Sequence, residues 1–195
     1  MPRQVFEYDP PDRFVAGTVG TPGSRTFFLQ ARGATTNGGS ALTSVALEKQ
    51  QVAALAERVE ELLDEVVRRS GGTAPVPAVA PSDAEDLDPM DSPIEEEFRV
   101  GTMSLTWDGD RQLVLIECFE VGEDPDEEVA DLGDPLADVD DDRSVLRVAI
   151  TGTTARAFAK RALALVAAGR PPCPFCAGPI DPEGHVCPRA NGYRR

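Results

Sequence analysis

The stretch Val45 to Leu63, VALEKQQVAALAERVEELL, returns near the other end of the chain as Val148 to Val166, VAITGTTARAFAKRALALV. Aligned without gaps, Val45/Val148, Ala46/Ala149, Ala54/Ala157, Ala56/Ala159, Arg58/Arg161 and Leu62/Leu165 are identical, six of nineteen positions. In the first copy Val52, Leu55, Ala56, Val59, Leu62, Leu63 and Val66 recur at helical spacing after a short apolar run. That pattern predicts a strand feeding an amphipathic helix. A chain that carries it twice is constrained to two similar units, each ending in a helix with one apolar stripe to bury.

The segments before the two copies are also alike. Phe14, Gly17 and Thr18 are mirrored by Phe98, Gly101 and Thr102, and RTFFL at Arg25 by RQLVL at Arg111. Turn chemistry at Gly20-Thr21-Pro22-Gly23-Ser24 and at Asp108-Gly109-Asp110 separates strand candidates, 13–19 from 25–32 and 96–106 from 112–120. Further strands are expected at 4–8, 42–47 and 144–150, and helices at 48–69 and 153–168. Each unit therefore reads β-β-β-α.

A lone unit of this kind leaves a sheet face and a helix stripe uncovered, and two units can bury them together. The expected fold is α+β: two pseudo-repeated β-β-β-α units sharing a largely antiparallel sheet of about six strands, with two helices packed on it, related by a pseudo-twofold axis. The first repeat spans 1–72 and the second 94–169, with an acidic loop at 121–142, and 1–169 fold as one domain. Between the repeats, 73–93 is Pro-rich, Ala-rich and acidic without periodicity, which reads as a disordered linker. A small zinc knuckle and an Arg tail follow at 170–195.

The formal charge of −15 removes the broad basic footprint that nucleic acid or an anionic membrane requires. Much of the excess lies in 83–97 and 123–142. The N-terminus lacks the apolar core of a signal peptide, and no apolar run approaches the roughly 20 residues of a membrane span. The expected setting is cytoplasmic.

Three of the four cysteines cluster with the single histidine. Cys173-Pro174-Phe175-Cys176 is a C-x2-C pair, and His185-Val186-Cys187 follows across Asp181-Pro182-Glu183-Gly184, which suits a type I turn. Two cysteines three apart can chelate one ion from a tight loop. Residues two apart in an extended segment point the same way, so His185 and Cys187 present both donors to one side. A thiolate-rich set of four fits tetrahedral Zn²⁺, and a set complete in protein ligands points to a structural site. Cys118, inside a strand, reads as a small core residue.

Other candidates are bland. Asp138, Asp140, Asp141 and Asp142 lack the glycine and distal glutamate of an EF-hand loop. Glu60 and Glu61 are neighbours on a helix and read as solvated. Lys49 at one helix start, and Thr151, Thr153 and Thr154 at the other, are candidate anion or ligand contacts, because free N–H groups at helix N-termini attract negative charge. No G-x-G-x-x-G or Walker A spacing accompanies them, and no Ser/His/Asp or Cys/His nucleophile can be assembled. Arg189, Tyr193, Arg194 and Arg195 form a basic, aromatic tail beside the knuckle and are candidate partner contacts.

RQVFEYDPPDRFVAGTVG, RTFFLQAR, SVALEKQQVAALAERVEELLDE and the terminal CPFCAGPIDPEGHVCPRANGYRR resemble an uncharacterised actinobacterial family described only as a conserved repeat protein. The resemblance covers nearly the whole chain outside the linker and acidic loop. It implies encoding beside a histidine-phosphatase-like protein and a kinase-like protein, and so implies either as a partner, but it implies no chemistry. The functional expectation is a zinc-binding adaptor or regulator without catalysis of its own, docking a protein partner through the knuckle. The alternative is an enzyme or enzyme subunit acting on a phosphorylated small molecule through the helix N-termini.

Overall fold

The computed structural model describes residues 3–34, 40–122, 143–169, 173–176, 180, 185, 187 and 189. Most of the acidic loop, the turn at 181–184 and the tail residues Tyr193, Arg194 and Arg195 lie outside them.

Among the described residues, seven strands form one sheet: β1 (Val5–Tyr8), β2 (Arg13–Thr21), β3 (Ser24–Ala34), β4 (Ser40–Leu47), β5 (Glu96–Asp108), β6 (Leu113–Glu120) and β7 (Val145–Thr151). Helix α1 (Lys49–Arg69) follows β4, and α2 (Gly152–Ala167) follows β7. The strand order is β1-β7-β6-β5-β4-β3-β2. Neighbours pair antiparallel within β2–β4 and within β5–β7, while β4/β5 and β1/β7 are parallel. The fold is therefore mixed α+β, and the sheet has one strand beyond the six of the two units, because β1, the strand expected at 4–8, adds to the outer edge of β7.

The strand order does not suit the expected twofold axis. A twofold between the units would bring matched strands together at their junction, as β4 with β7. Instead β4 meets β5, so the second trio succeeds the first along the sheet in the same orientation. The helices tie the halves together. Gln51 of α1 donates to the carbonyls of Val100 (3.0 Å) and Gly101 (3.1 Å) on β5, while its own Oε1 takes the N–H of Glu48 (2.8 Å) at the helix start. Helix α2 lies on the other half: the Phe158 ring stacks on Phe14 of β2 at 4.7 Å, and Arg161 donates to Ala16 O at 2.8 Å. Each helix thus covers strands of the unit that did not lead into it.

Between them lies one core, in which Phe14, Leu29, Val45, Leu47, Ile116, Cys118, Leu146, Val148 and Ile150 of the sheet meet Leu55, Val59, Leu63, Phe158, Ala159 and Ala162 of the helices. Burying each of the larger aliphatic or aromatic side chains contributes about 1.5–3 kcal/mol, which makes this contact the main term holding the halves together.

The segment 73–93, read from composition as a linker with nothing to bury, is tied down by polar contacts instead. Pro77 O accepts from Arg156 of α2 (3.1 Å), and Glu85 pairs with Lys160. Asp86 then receives Arg13 in a two-pronged pair, Nε–Oδ2 2.6 Å and Nη2–Oδ1 2.9 Å, and Arg161 at 3.1 Å. Beyond it the chain reaches the sheet face opposite the helices. There Met90 occupies the space where a β-carbon of Gly17 would sit, and Asp91 exchanges backbone hydrogen bonds with the Gln30 amide, 2.8 and 3.0 Å. The segment is a strap around the open edge of β2. It explains why Gln30 and Ser44, polar and on the far face, are buried.

Glu60 also has a partner besides solvent. With Asp64 and the carbonyls of Glu60 and Pro77, its carboxylate receives the buried Arg156 guanidinium, which joins α1, α2 and the strap. Glu61 pairs instead with Arg58 at 3.1 Å on the surface. No helix among the described residues is long and apolar enough to cross a membrane.

Candidate metal centre

Helix α2 delivers the chain to the cysteine cluster. Its end is held where Arg25 Nη2 donates to Ala168 O at 2.8 Å, so the tail departs from beside the start of β3. Pro174 to Cys176 then form a turn. In it the N–H groups of Cys176 and, next in weight, Phe175 point back at the Cys173 sulfur and hold its thiol down to about 6. The thiolate that metals bind is therefore the prevailing form at neutral pH.

Across the turn, Cys173 Sγ lies 3.7 Å from Cys187 Sγ, and Cys176 Sγ lies 3.7 Å from His185 Nε2. All four donor atoms fall within 4.8 Å of one another. A tetrahedron with metal–sulfur bonds of about 2.3 Å and metal–nitrogen bonds of about 2.0–2.1 Å has edges of about 3.8 Å between sulfurs and about 3.6 Å from sulfur to nitrogen. The two short pairs are opposite edges of such a figure. Cys173 and Cys187 are 5% and 6% exposed, and Cys176 and His185 are half-buried. Cys173, Cys176, His185 and Cys187 can therefore hold a metal ion.

Arg189 donates from Nη1 to Phe175 O at 3.2 Å, which holds its guanidinium against the knuckle. Phe175 itself stands 63% exposed between two ligands. Sequence reasoning passed over it, although an aromatic between two paired cysteines was a readable signal. Cys118 is fully buried in the core, where loss of solvation and then nearby Glu117 push its thiol up to about 12.

The helix-start candidates do not converge. Thr151 caps α2 by accepting the Thr154 N–H at 3.2 Å, and its hydroxyl contacts that of Thr154 at 3.0 Å, so the cap is satisfied internally. Thr153 is half-buried beside it. Lys49 lies next to Gly169, just beyond the opposite end of α2. Sixteen helical residues, about 24 Å, separate the two places.

No curated protein and no solved structure matches this chain. A family model described as a protein of unknown function, DUF3090, matches residues 6–187, from within β1 to the last of the four candidate ligands, and the chain belongs to that family.

Proposed function

We propose that this protein is a cytoplasmic zinc-binding adaptor or regulator without catalytic activity of its own, which docks a protein partner through its C-terminal knuckle. The observation that carries the reading is the donor set itself: four protein ligands gathered within 4.8 Å leave no position for a reacting water, and the loop they order presents Phe175 outward with Arg189 beside it. Zinc is the metal that three thiolates and an imidazole in a tetrahedron favour. An exposed aromatic flanked by a guanidinium is a common anchor of protein interfaces. We also read the two β-β-β-α units as copies of one ancestral unit, from the matched residues at 45–63 and 148–166 and the repeated strand order.

The test is a pull-down from native lysate with the full chain and with a chain ending at Gly169, read by mass spectrometry, with metal measured on both preparations. A partner lost on truncation, its binding then reproduced with the purified protein, supports docking through the knuckle. The kinase-like and histidine-phosphatase-like neighbours implied by the resemblance are the first candidates for that purified partner. The same proteins from both chains, or none, would reduce the knuckle to a structural staple.

A further inference from the structure

On β2, β3 and β4, the face opposite the helices is covered by the strap. On the second half the same face is open among the described residues, and it carries a cavity of about 310 Å³. Its floor is apolar, Leu115 on β6 beside Ala149 on β7, with Thr106 of β5 in the same row. The next row crosses four strands as Ser104, Glu117, Arg147 and Glu7. Ser104 Oγ donates to Glu117 Oε2 at 2.8 Å and Arg147 Nε to Glu117 Oε1 at 2.7 Å, so both oxygens of that carboxylate have a partner. At the rim, Arg111 of the β5–β6 hairpin pairs with Asp9, which follows β1. None of these residues served the metal centre.

The charges are not balanced within the cavity. Asp9 and Glu117 are neutralised by Arg111 and Arg147, whereas the half-buried Glu7 has no hydrogen bond or ion pair among the described residues. A carboxylate partly shielded from water in a concave site attracts a cation. The terminal nitrogens of Arg147 make no hydrogen bond among the described residues and remain able to donate to an anion. An apolar floor with an unpaired carboxylate on one side and free guanidinium N–H groups on the other is complementary to a molecule that carries all three features. Few convergent polar groups over an apolar base, in a space of this size, are the usual make-up of a small-molecule site.

We propose that this cavity binds a small zwitterion of the α-amino acid type, its ammonium on Glu7, its carboxylate on the terminal nitrogens of Arg147, and its apolar side chain on Leu115 and Ala149. A plain anion would meet the unpaired Glu7. A plain cation would leave the guanidinium donors unused.

The full chain, loaded with zinc, is titrated calorimetrically at millimolar concentrations with L-leucine, isopentylamine and 4-methylpentanoate, which share an apolar body and differ in charged groups. Leucine is expected to bind, the amine more weakly and the acid not at all. Glu7→Gln keeps the shape and removes the charge, and it should weaken leucine binding by about tenfold, the contribution of one charge-assisted hydrogen bond. Arg147→Lys should weaken it as well, because lysine offers no planar fork. Circular dichroism and thermal melting of each variant report whether the sheet is intact. Three results overturn the proposal: no binding by any of the three compounds, leucine binding unchanged in a folded Glu7→Gln, or the acid binding as well as leucine.

Discussion

Replacing Arg156 with alanine should destabilise the helical side about as much as truncating a core leucine, although the residue is charged and belongs to no site. Its side chain is 2% exposed and joins two elements to its own helix: α1, through Glu60 and Asp64 and the Glu60 carbonyl, and the strap, through the Pro77 carbonyl. Breaking a fully buried ion pair by removing one partner costs about 3–5 kcal/mol, mostly from the stranded charge. Here the stranded carboxylates are 34% and 72% exposed and can turn toward water, which lowers that part. The abandoned Pro77 carbonyl and the cavity left by the long side chain add to it. The expected total is about 2–4 kcal/mol, which at about 2–4 °C per kcal/mol for a chain of this size lowers the melting midpoint by roughly 4–16 °C. Thermal unfolding followed by circular dichroism measures it, and limited proteolysis should show earlier cleavage in 73–93 as the strap loses its Pro77 anchor. Arg156→Met, which restores the volume without the charge, should recover part of the loss. An Arg156→Ala protein that melts within a degree of the parent, with an equally resistant strap, would refute this account of how the helices and strap are joined.

Three further outcomes follow from the same structure. Hydrogen bonding from Arg13, ahead of the other contributions, holds the Asp86 carboxyl below its usual 3.8, so its stabilising contribution is complete above that value and disappears as pH falls through the lowered one; the difference between parent and Asp86→Asn, about 1–2 kcal/mol at neutral pH, should vanish in acid, and a difference that grows on acidification would contradict it. Cys176→Ser and Cys187→Ser should each lower zinc content, read by elemental analysis, while leaving the melting of the sheet and helices nearly unchanged; iodoacetamide should label the cluster cysteines of the metal-stripped chain but not Cys118, whose thiol is buried and raised to about 12. Gly17→Val should destabilise by about 1–3 kcal/mol because the new side chain collides with Met90, and adding Met90→Ala should return part of that loss in a double-mutant cycle read by urea unfolding.

Both helices and the strands leading into them were legible because their signals are local. The run from Val45 to Leu63 pairs a short apolar stretch with a 3.6-residue stripe, and α1 begins and ends within a residue of that reading. The Thr151 cap is equally local, since capping involves residues three apart, although Thr151 was read from sequence as a candidate ligand contact. The C-x2-C and H-x-C spacings place donors in pairs on short arcs of chain, so the ligand set could be named from spacing alone. Glu60 was misread because its partner lies 96 residues away, and no periodicity on α1 announces a guanidinium arriving from α2. Arg58 and Arg161 show the same limit: they align in the repeat, yet one pairs on the surface with Glu61 while the other anchors the strap at Asp86.

From its residues alone, this chain determined two strand-to-helix units, an acidic character set by loops, and a four-ligand cluster, because hydrophobic period, charge and donor spacing act over a few residues. Tertiary structure decided that the units follow one another along the sheet without a twofold, that each helix covers the other unit's strands, that 73–93 becomes a strap, and that Glu7, Arg111 and Arg147 share one cavity. Those outcomes depend on which surfaces meet across the fold, where burial and charge pairing between distant residues outweigh anything their neighbours in sequence can express.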